Sequence, residues 1–278
     1  MFTSNISKWN NRLHPYHIVE VSPWPAVASI LALCLLFRVA YTAHAYSLEL
    51  TIILFSSVLF TLVLASYYWW RDIVREGSYE GVHSLFVQEG LRSGVLFFIV
   101  SEVMVFFGFF WAFFHSSIAP TFDLDLVWPP EEVNTIGAWG IPFLNTMILL
   151  SSGASLTWTH SALLGGSRKD ALFSLAITIV LAAIFTFFQG IEYSSSVTSI
   201  SDSVYGTTFY LLTGLHGFHV LVGAIFLAIC LKRMYNDQFT SGNHIGFEAA
   251  AWYWHFVDVV WLFLFAFVYA WSDEVSTM

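Results

Sequence analysis

Glu102 is the first residue in this chain with chemistry to explain. It is the only charged side chain in the 22 residues from Ser93 to Phe114. A helix over that run is about 33 Å long, enough to cross the hydrocarbon core, and Glu102 is tenth in it, near the midplane. An ionised acid at that depth costs about 2.5–3.5 kcal/mol, while protonating it at pH 7 from a reference pKa of about 4.3 costs about 3.7 kcal/mol. The two costs are too close to decide its charge. Such an acid faces the protein interior or a polar cavity and marks a proton, ion or lipid site; the plainer reading is a protonated, hydrogen-bonded packing residue.

Five other polar side chains fall in apolar runs at informative positions. His255 and Asp258 are three apart on one helical face, where pairing would neutralise both. Asp258 is tenth in its run, as Glu102 is, so the two acids are expected to be level and to share an interior region if their helices are neighbours. Arg38, about 6 Å further out by helical rise, is either a counter-ion or a snorkelling side chain. His216 is paired on one face with His219. Two ligands are too few for a closed or catalytic metal site, so hydrogen-bonded packing histidines, or a polar lining beside a neighbouring subunit, are the better reading. Cys34 and Cys230 each lie within an apolar run and suggest neither a disulfide framework nor a metal motif. Arg71, Arg75, Arg233 and His83, with Trp69 and Trp70, form a basic and aromatic belt suited to anionic phospholipid head groups, although any membrane protein acquires such a belt on its inner side.

The elements that must position these residues are membrane helices. With 57% hydrophobic and 10% charged residues and a mean hydropathy of +0.70, the chain lies far from a soluble composition, in which about 25% of residues are charged. Seven spans are expected: Pro25 to Ala43, Leu50 to Trp70, Ser93 to Phe114, Ile141 to Thr159, Ala171 to Ile191, Val204 to Leu231 and Ala249 to Trp271. Their continuous apolar character argues against barrel strands. Lys8, Arg12, Arg71, Arg75, Arg92, Arg168, Lys169, Lys232 and Arg233 all fall on one side of these spans. Glu49, Asp123, Asp125, Glu131, Glu132, Glu192, Asp202, Asp273 and Glu274 fall on the other. The N-terminus is therefore expected inside and the C-terminus outside. The net charge of −9 reflects that acidic outer face. The first 23 residues carry no signal-peptide core and read as uncleaved. The segment from Arg71 to Arg92 alternates in charge and is expected to extend the second and third helices. Ala119 to Gly140 reads as an ordered loop for a neighbour. Trp128, Trp139 and Trp271 read as interfacial anchors.

The run Phe247-Glu-Ala-Ala-Ala-Trp-Tyr-Trp-His-Phe-Val-Asp-Val-Val-Trp-Leu-Phe-Leu-Phe265 resembles the last helix of cytochrome c oxidase subunit III, in the haem-copper oxidase superfamily. The similarity continues in Ser22-Pro-Trp-Pro25, Trp69-Trp-Arg-Asp72, Ser101-Glu-Val103, Phe110-Trp-Ala-Phe-Phe-His-Ser116, Trp128-Pro-Pro130, Leu144-Asn-Thr146, Ile200-Ser-Asp202 and Gly214-Leu-His-Gly-Phe-His-Val220. The resemblance implies an all-α, polytopic membrane protein. Its seven transmembrane helices form one membrane domain over residues 1–278, in two bundles: helices 1–2 (residues 1–72) and 3–7 (residues 73–278), separated by a V-shaped, lipid-filled cleft.

It also implies an accessory core subunit of the terminal respiratory oxidase, which passes electrons from cytochrome c to oxygen and pumps protons. The chain itself would carry no cofactor, metal or catalytic residue, with haem and copper on neighbouring subunits. It would pack on the catalytic subunit I and other oxidase subunits, stabilise the catalytic centre, support proton uptake and bind membrane phospholipids. No nucleic acid is expected. The location implied is the mitochondrial inner membrane with the N-terminus in the matrix, the alternative being a bacterial plasma membrane. Glu102 matches the family's intramembrane acid. Trp69, Trp70, Glu76, His83, Arg233 and His244 match phospholipid contacts, although the family's His-His pair reads Asn243-His244 here. The chain differs from its relatives in an N-terminal extension and in the acids of Asp123-Leu-Asp125 and Glu131-Glu132.

Other classes fit less well. A retinal protein or receptor conflicts with the N-terminus inside and with Lys8, Lys169 and Lys232 all outside the spans. A stand-alone proton transporter using Glu102, Asp258 and His255 lacks an inverted repeat. A subunit III of a quinol-oxidising relative is the nearest alternative.

Overall fold

Inside a bilayer the backbone must satisfy its own polar groups, and continuous apolar runs do so as helices. The computed structural model describes residues 14–44, 48–122, 126–130, 133 and 135–276. Within them lie α1 (Trp24–His44), α2 (Leu48–Val74), α3 (Leu85–Ile118), α4 (Ile141–Leu164), α5 (Arg168–Ser195), α6 (Val204–Tyr235) and α7 (Ile245–Phe263). α7 continues through a π-helical stretch, Leu264–Ala270, into a last helical stretch, Trp271–Ser276. The first six expected spans each fall within one helix, and the seventh runs from α7 through the π-helical stretch to Trp271, so the protein is an all-α polytopic membrane protein. The expected extension between the second and third spans is present: α2 runs on into a π-helical turn, Arg75–Tyr79, and α3 begins at Leu85 and reaches 34 residues. Gly81, at φ 62°, supplies the left-handed step between them. Lys8, Arg12, Asp123, Asp125, Glu131 and Glu132, and the first thirteen residues of the chain, lie outside the described residues.

Six of the seven helices have the length and the apolar composition to cross a membrane. α4 has the length, 24 residues, but its apolar stretch is interrupted by Asn145, Thr146, Ser151, Ser152, Ser155 and Thr157 and it is not among those six. The reason is visible in its packing. Ser155 and Thr159, one turn apart, meet Thr178 and Ser174 of α5 in two hydroxyl–hydroxyl hydrogen bonds of 2.8 Å. Ser152 accepts from the Trp254 indole, and Thr146 from the Trp261 indole, both at 2.9 Å. The polar face of α4 is turned inward, and these four hydroxyls are bonded there, as helix packing in lipid favours, while both polar side-chain atoms of the buried Asn145 have no partner among the described residues.

The chain divides into two units, Met1–Leu91 and Arg92–Met278. In the first, α1 packs along α2, and two of the quoted motifs meet: the Trp24 indole donates to Asp72 Oδ2 at 2.7 Å and its ring stacks on Tyr68. Pro15 O accepts from Ser84 Oγ, so the segment before α1 is tied to the start of α3. In the second unit α4 to α7 form the core, with Leu149, Leu156, Phe185, Leu212, Trp254 and Trp261 fully buried. Trp128 belongs to this core. It was expected at the interface, but it is 5% exposed and sits edge-on to Phe113 and Tyr205, because its loop folds back over the bundle end.

Candidate functional site

Glu102 lies on α3 and meets His219 of α6. Its Oε2 is 2.7 Å from His219 Nε2. The other ring nitrogen, Nδ1, is 2.7 Å from the Leu215 carbonyl oxygen. A carbonyl only accepts, so Nδ1 carries a proton and donates it. The Nε2···Oε2 contact then holds one further proton: either the carboxyl donates to Nε2, or an imidazolium donates to a carboxylate. Both arrangements are neutral overall. The histidine ring is held edge-on to Phe106 and packed beside Tyr253 and Phe256 of α7. The His219 side chain is 6% exposed and that of Glu102 22%, so the acid is the outward member of the pair.

The partner of Glu102 is thus a residue read from sequence only as half of a histidine pair. Asp258 and His255 do not fill that role. They lie on a different side of α7, against Gly153 of α4, where a Cβ would come within 3.0 Å of Asp258 Oδ2 and 3.7 Å of His255 Nδ1. The ion pair expected between them is also absent among the described residues. Three-residue spacing puts two side chains on one face, but here both point to the next helix and not to each other. Arg38 lies on α1, in the other unit. His216 does not converge with His219: its Nε2 donates to the Val257 carbonyl at 3.1 Å, and its ring is wedged between Phe185 and Trp261. Among the described residues no three His, Cys, Asp or Glu side chains are grouped to hold a metal ion.

The residues matched to phospholipid contacts fall in both units. In the first, Glu76 Oε2 lies 3.8 Å from His17 Nε2 and 3.9 Å from His83 Nε2, while Trp70 is 58% exposed. Trp69 is half-buried. Burial and the neighbouring His17 hold the His83 imidazole below its ordinary pKa. In the second unit, Arg233 and His244 stand where α6 ends and α7 begins. The Arg233 guanidinium lies 4.4 Å over the Phe239 ring, donates to Gln238 Oε1 and packs on Gly246, where a Cβ would collide with it. His244 Nδ1 donates to Thr240 O, and its Nε2 is 3.3 Å from Glu248, which also takes two bonds from Arg92. The Arg92–Glu248 pair, 156 residues apart, had no signal in the sequence.

A bundle of long apolar helices with an acid–imidazole pair in mid-span, and polar clusters at the helix ends, defines an integral membrane protein of the helical class. Residues 14–273 match the family model described as cytochrome c oxidase subunit III. Among similar proteins is cytochrome c oxidase subunit 3 of Prototheca wickerhamii, 54% identical over 261 residues, 94% of this chain and 99% of the relative. That of Chondrus crispus is 54% identical over 272 residues, 98% of each chain. That of Marchantia polymorpha is 52% identical over 263 residues, 94% of this chain and 98% of the relative. The chain belongs to the cytochrome c oxidase subunit III family.

Proposed function

We propose that this chain is an accessory subunit of a proton-translocating cytochrome c oxidase in the mitochondrial inner membrane, with its N-terminus in the matrix. Electron transfer takes place on its neighbours, among them the catalytic haem-copper subunit. Its own contribution is a buried site that holds one proton and a set of phospholipid contacts.

The observation that carries this reading is the Glu102–His219 contact with Nδ1 fixed on Leu215 O. It supplies the partner that an acid in mid-span needs, and it offsets the cost of placing that acid in lipid. The shared proton can shift between Glu102 and Nε2 and return without rotating the ring, since the backbone bond holds the tautomer, so the pair stores a proton and gives it back through the outward Glu102. Such a pair supports proton uptake by a neighbour and does not itself span the membrane. Trp69, Trp70, Glu76 and His83 in one unit, and Arg233 and His244 in the other, supply the cationic, hydrogen-bonding and aromatic groups a phospholipid head group takes.

The test is purification of the complex carrying Glu102→Gln or His219→Leu. Haem and copper spectra should be intact while the rate of proton uptake falls. Loss of a metal centre in either variant would count against an accessory role. Reduction of the complex by cytochrome c and not by quinol would exclude the quinol-oxidising alternative.

A further inference from the structure

Glu192 is one of the acids expected in the outer aqueous layer, yet it is only 2% exposed. It stands in the last turn of α5. Its Oε1 accepts from the Tyr269 hydroxyl at 2.6 Å and from Gln189 Nε2 at 3.1 Å, while its Oε2 and the Gln189 Oε1 have no hydrogen-bond partner among the described residues. Both polar side-chain atoms of the buried Asn145 are unpartnered too. The Ser155–Thr178 and Thr159–Ser174 bonds fix an antiparallel register which, carried on along both helices, brings Asn145 level with Gln189 and Ile141 level with Glu192. The unpartnered groups therefore share one end of the α4–α5 pair. A half-open cavity of about 280 Å³ covers that end, walled by Thr135, Gly137, Pro142, Glu192, Ser195 and Val197.

Resting on the orientation proposed above, which puts this end outside, we infer that the cavity is a water-binding site through which Glu192 exchanges a proton with the outer aqueous phase. Buried polar atoms without partners are costly, and internal water is the usual remedy. Water both donates and accepts, so it suits Glu192 Oε2, the two amide oxygens and the Asn145 Nδ2 donor together, whereas a metal cation would suit the oxygens alone. The cavity has room for several molecules, since each needs only about 10–15 Å³ of such space. The step is a single proton transfer: an O–H bond forms at Oε2 as one breaks on a hydronium ion in the cavity, and the reverse returns the proton. Tyr269 keeps its own proton and holds the carboxyl group in place through Oε1. The other titratable groups within electrostatic reach of Glu192 are Tyr193 on α5 and Tyr205 on α6, with Asp273 beyond Tyr205. None of these is a cation that would lock Glu192 in its ionised form. The site shares no hydrogen-bond partner with the Glu102–His219 pair.

The experiment combines a density map of the purified complex with pH-jump infrared spectra of the same complex in vesicles, taken in H2O and in D2O. The map should show ordered water within about 3.5 Å of Glu192 Oε2 and of Gln189 or Asn145. The spectra should contain a carboxyl band that shifts in D2O, follows the outer pH and is lost in Glu192→Gln, a variant whose amide carbonyl still accepts from Tyr269. Val197→Trp, at an exposed place on the cavity wall, should slow the D2O shift by at least about tenfold, because exchange must then wait for local opening. A dry cavity, a Glu192 band that does not shift in D2O, or exchange in Val197→Trp as fast as in the parent overturns the proposal. A band that exchanges but follows only the inner pH would reject the proposed orientation instead. Both readouts belong to this chain, so a preparation without haem and copper subunits would count against the oxidase reading alone.

Discussion

Glu102 and His219 share one proton because the Leu215 carbonyl has already claimed the other ring nitrogen. The near balance of charging and protonation costs, worked out for an isolated acid, does not apply to an acid with this partner. His219→Leu should destabilise the chain by about 1–3 kcal/mol, since it strands a half-buried carboxyl group in mid-span, and Glu102→Gln by less, because the amide still donates to Nε2. Unfolding in mixed micelles would measure both, and a cost for Gln equal to that for Leu would contradict the bonding pattern. His83 offers a second test. Its folded-state pKa lies below its ordinary value, so between the two the unfolded segment binds more protons than the folded one. Stability of that segment is present above the ordinary pKa of about 6.5 and declines as pH falls below it. Titration of the His83 ring by NMR should give a midpoint under that of a free imidazole, and His17→Ala should raise it.

Between helices, small polar and glycine contacts set the register. The Ser155–Thr178 and Thr159–Ser174 pairs stand one turn apart on both α4 and α5, and they satisfy hydroxyls that α4 turns inward. A double-mutant cycle on Thr159→Ala and Ser174→Ala should give a coupling of about 0.6 kcal/mol, the average for such bonds in lipid. Zero coupling would reduce the pair to adjacency. Gly223 of α6 faces the Trp254 ring, where a Cβ would stand 2.9 Å from Cε3. That indole is pinned by its bond to Ser152 and cannot yield cheaply. Gly223→Ala should therefore cost about 1–3 kcal/mol, read as a lowered melting temperature. These contacts link α4, α5, α6 and α7 into the unit that carries the acid–imidazole pair.

For the whole molecule, the prediction concerns lipid. Phospholipid should co-purify with the chain and be reduced in Arg233→Ala, as measured by lipid mass spectrometry; unchanged content would remove Arg233 from the binding set. Its packing on Gly246 and Phe239 means that the variant also loses a contact within the protein, so Arg233→Lys serves as the control that keeps the charge. The seven helices were legible in the sequence because lipid admits only helices for continuous apolar runs, and their extensions beyond the apolar runs, such as α3 back to Leu85, were set by the polar ends and not by those runs. Glu102, Asp258 and His219 stood out for the same reason: a polar group is conspicuous where the surroundings must be apolar. Which of them meet was not legible. Rise and spacing give depth and face within one helix but not the rotation or neighbour of another, so level acids on α3 and α7 looked like partners. Only the tertiary packing of α3 against α6 gave Glu102 to His219, and that of α7 against α4 turned Asp258 toward Gly153.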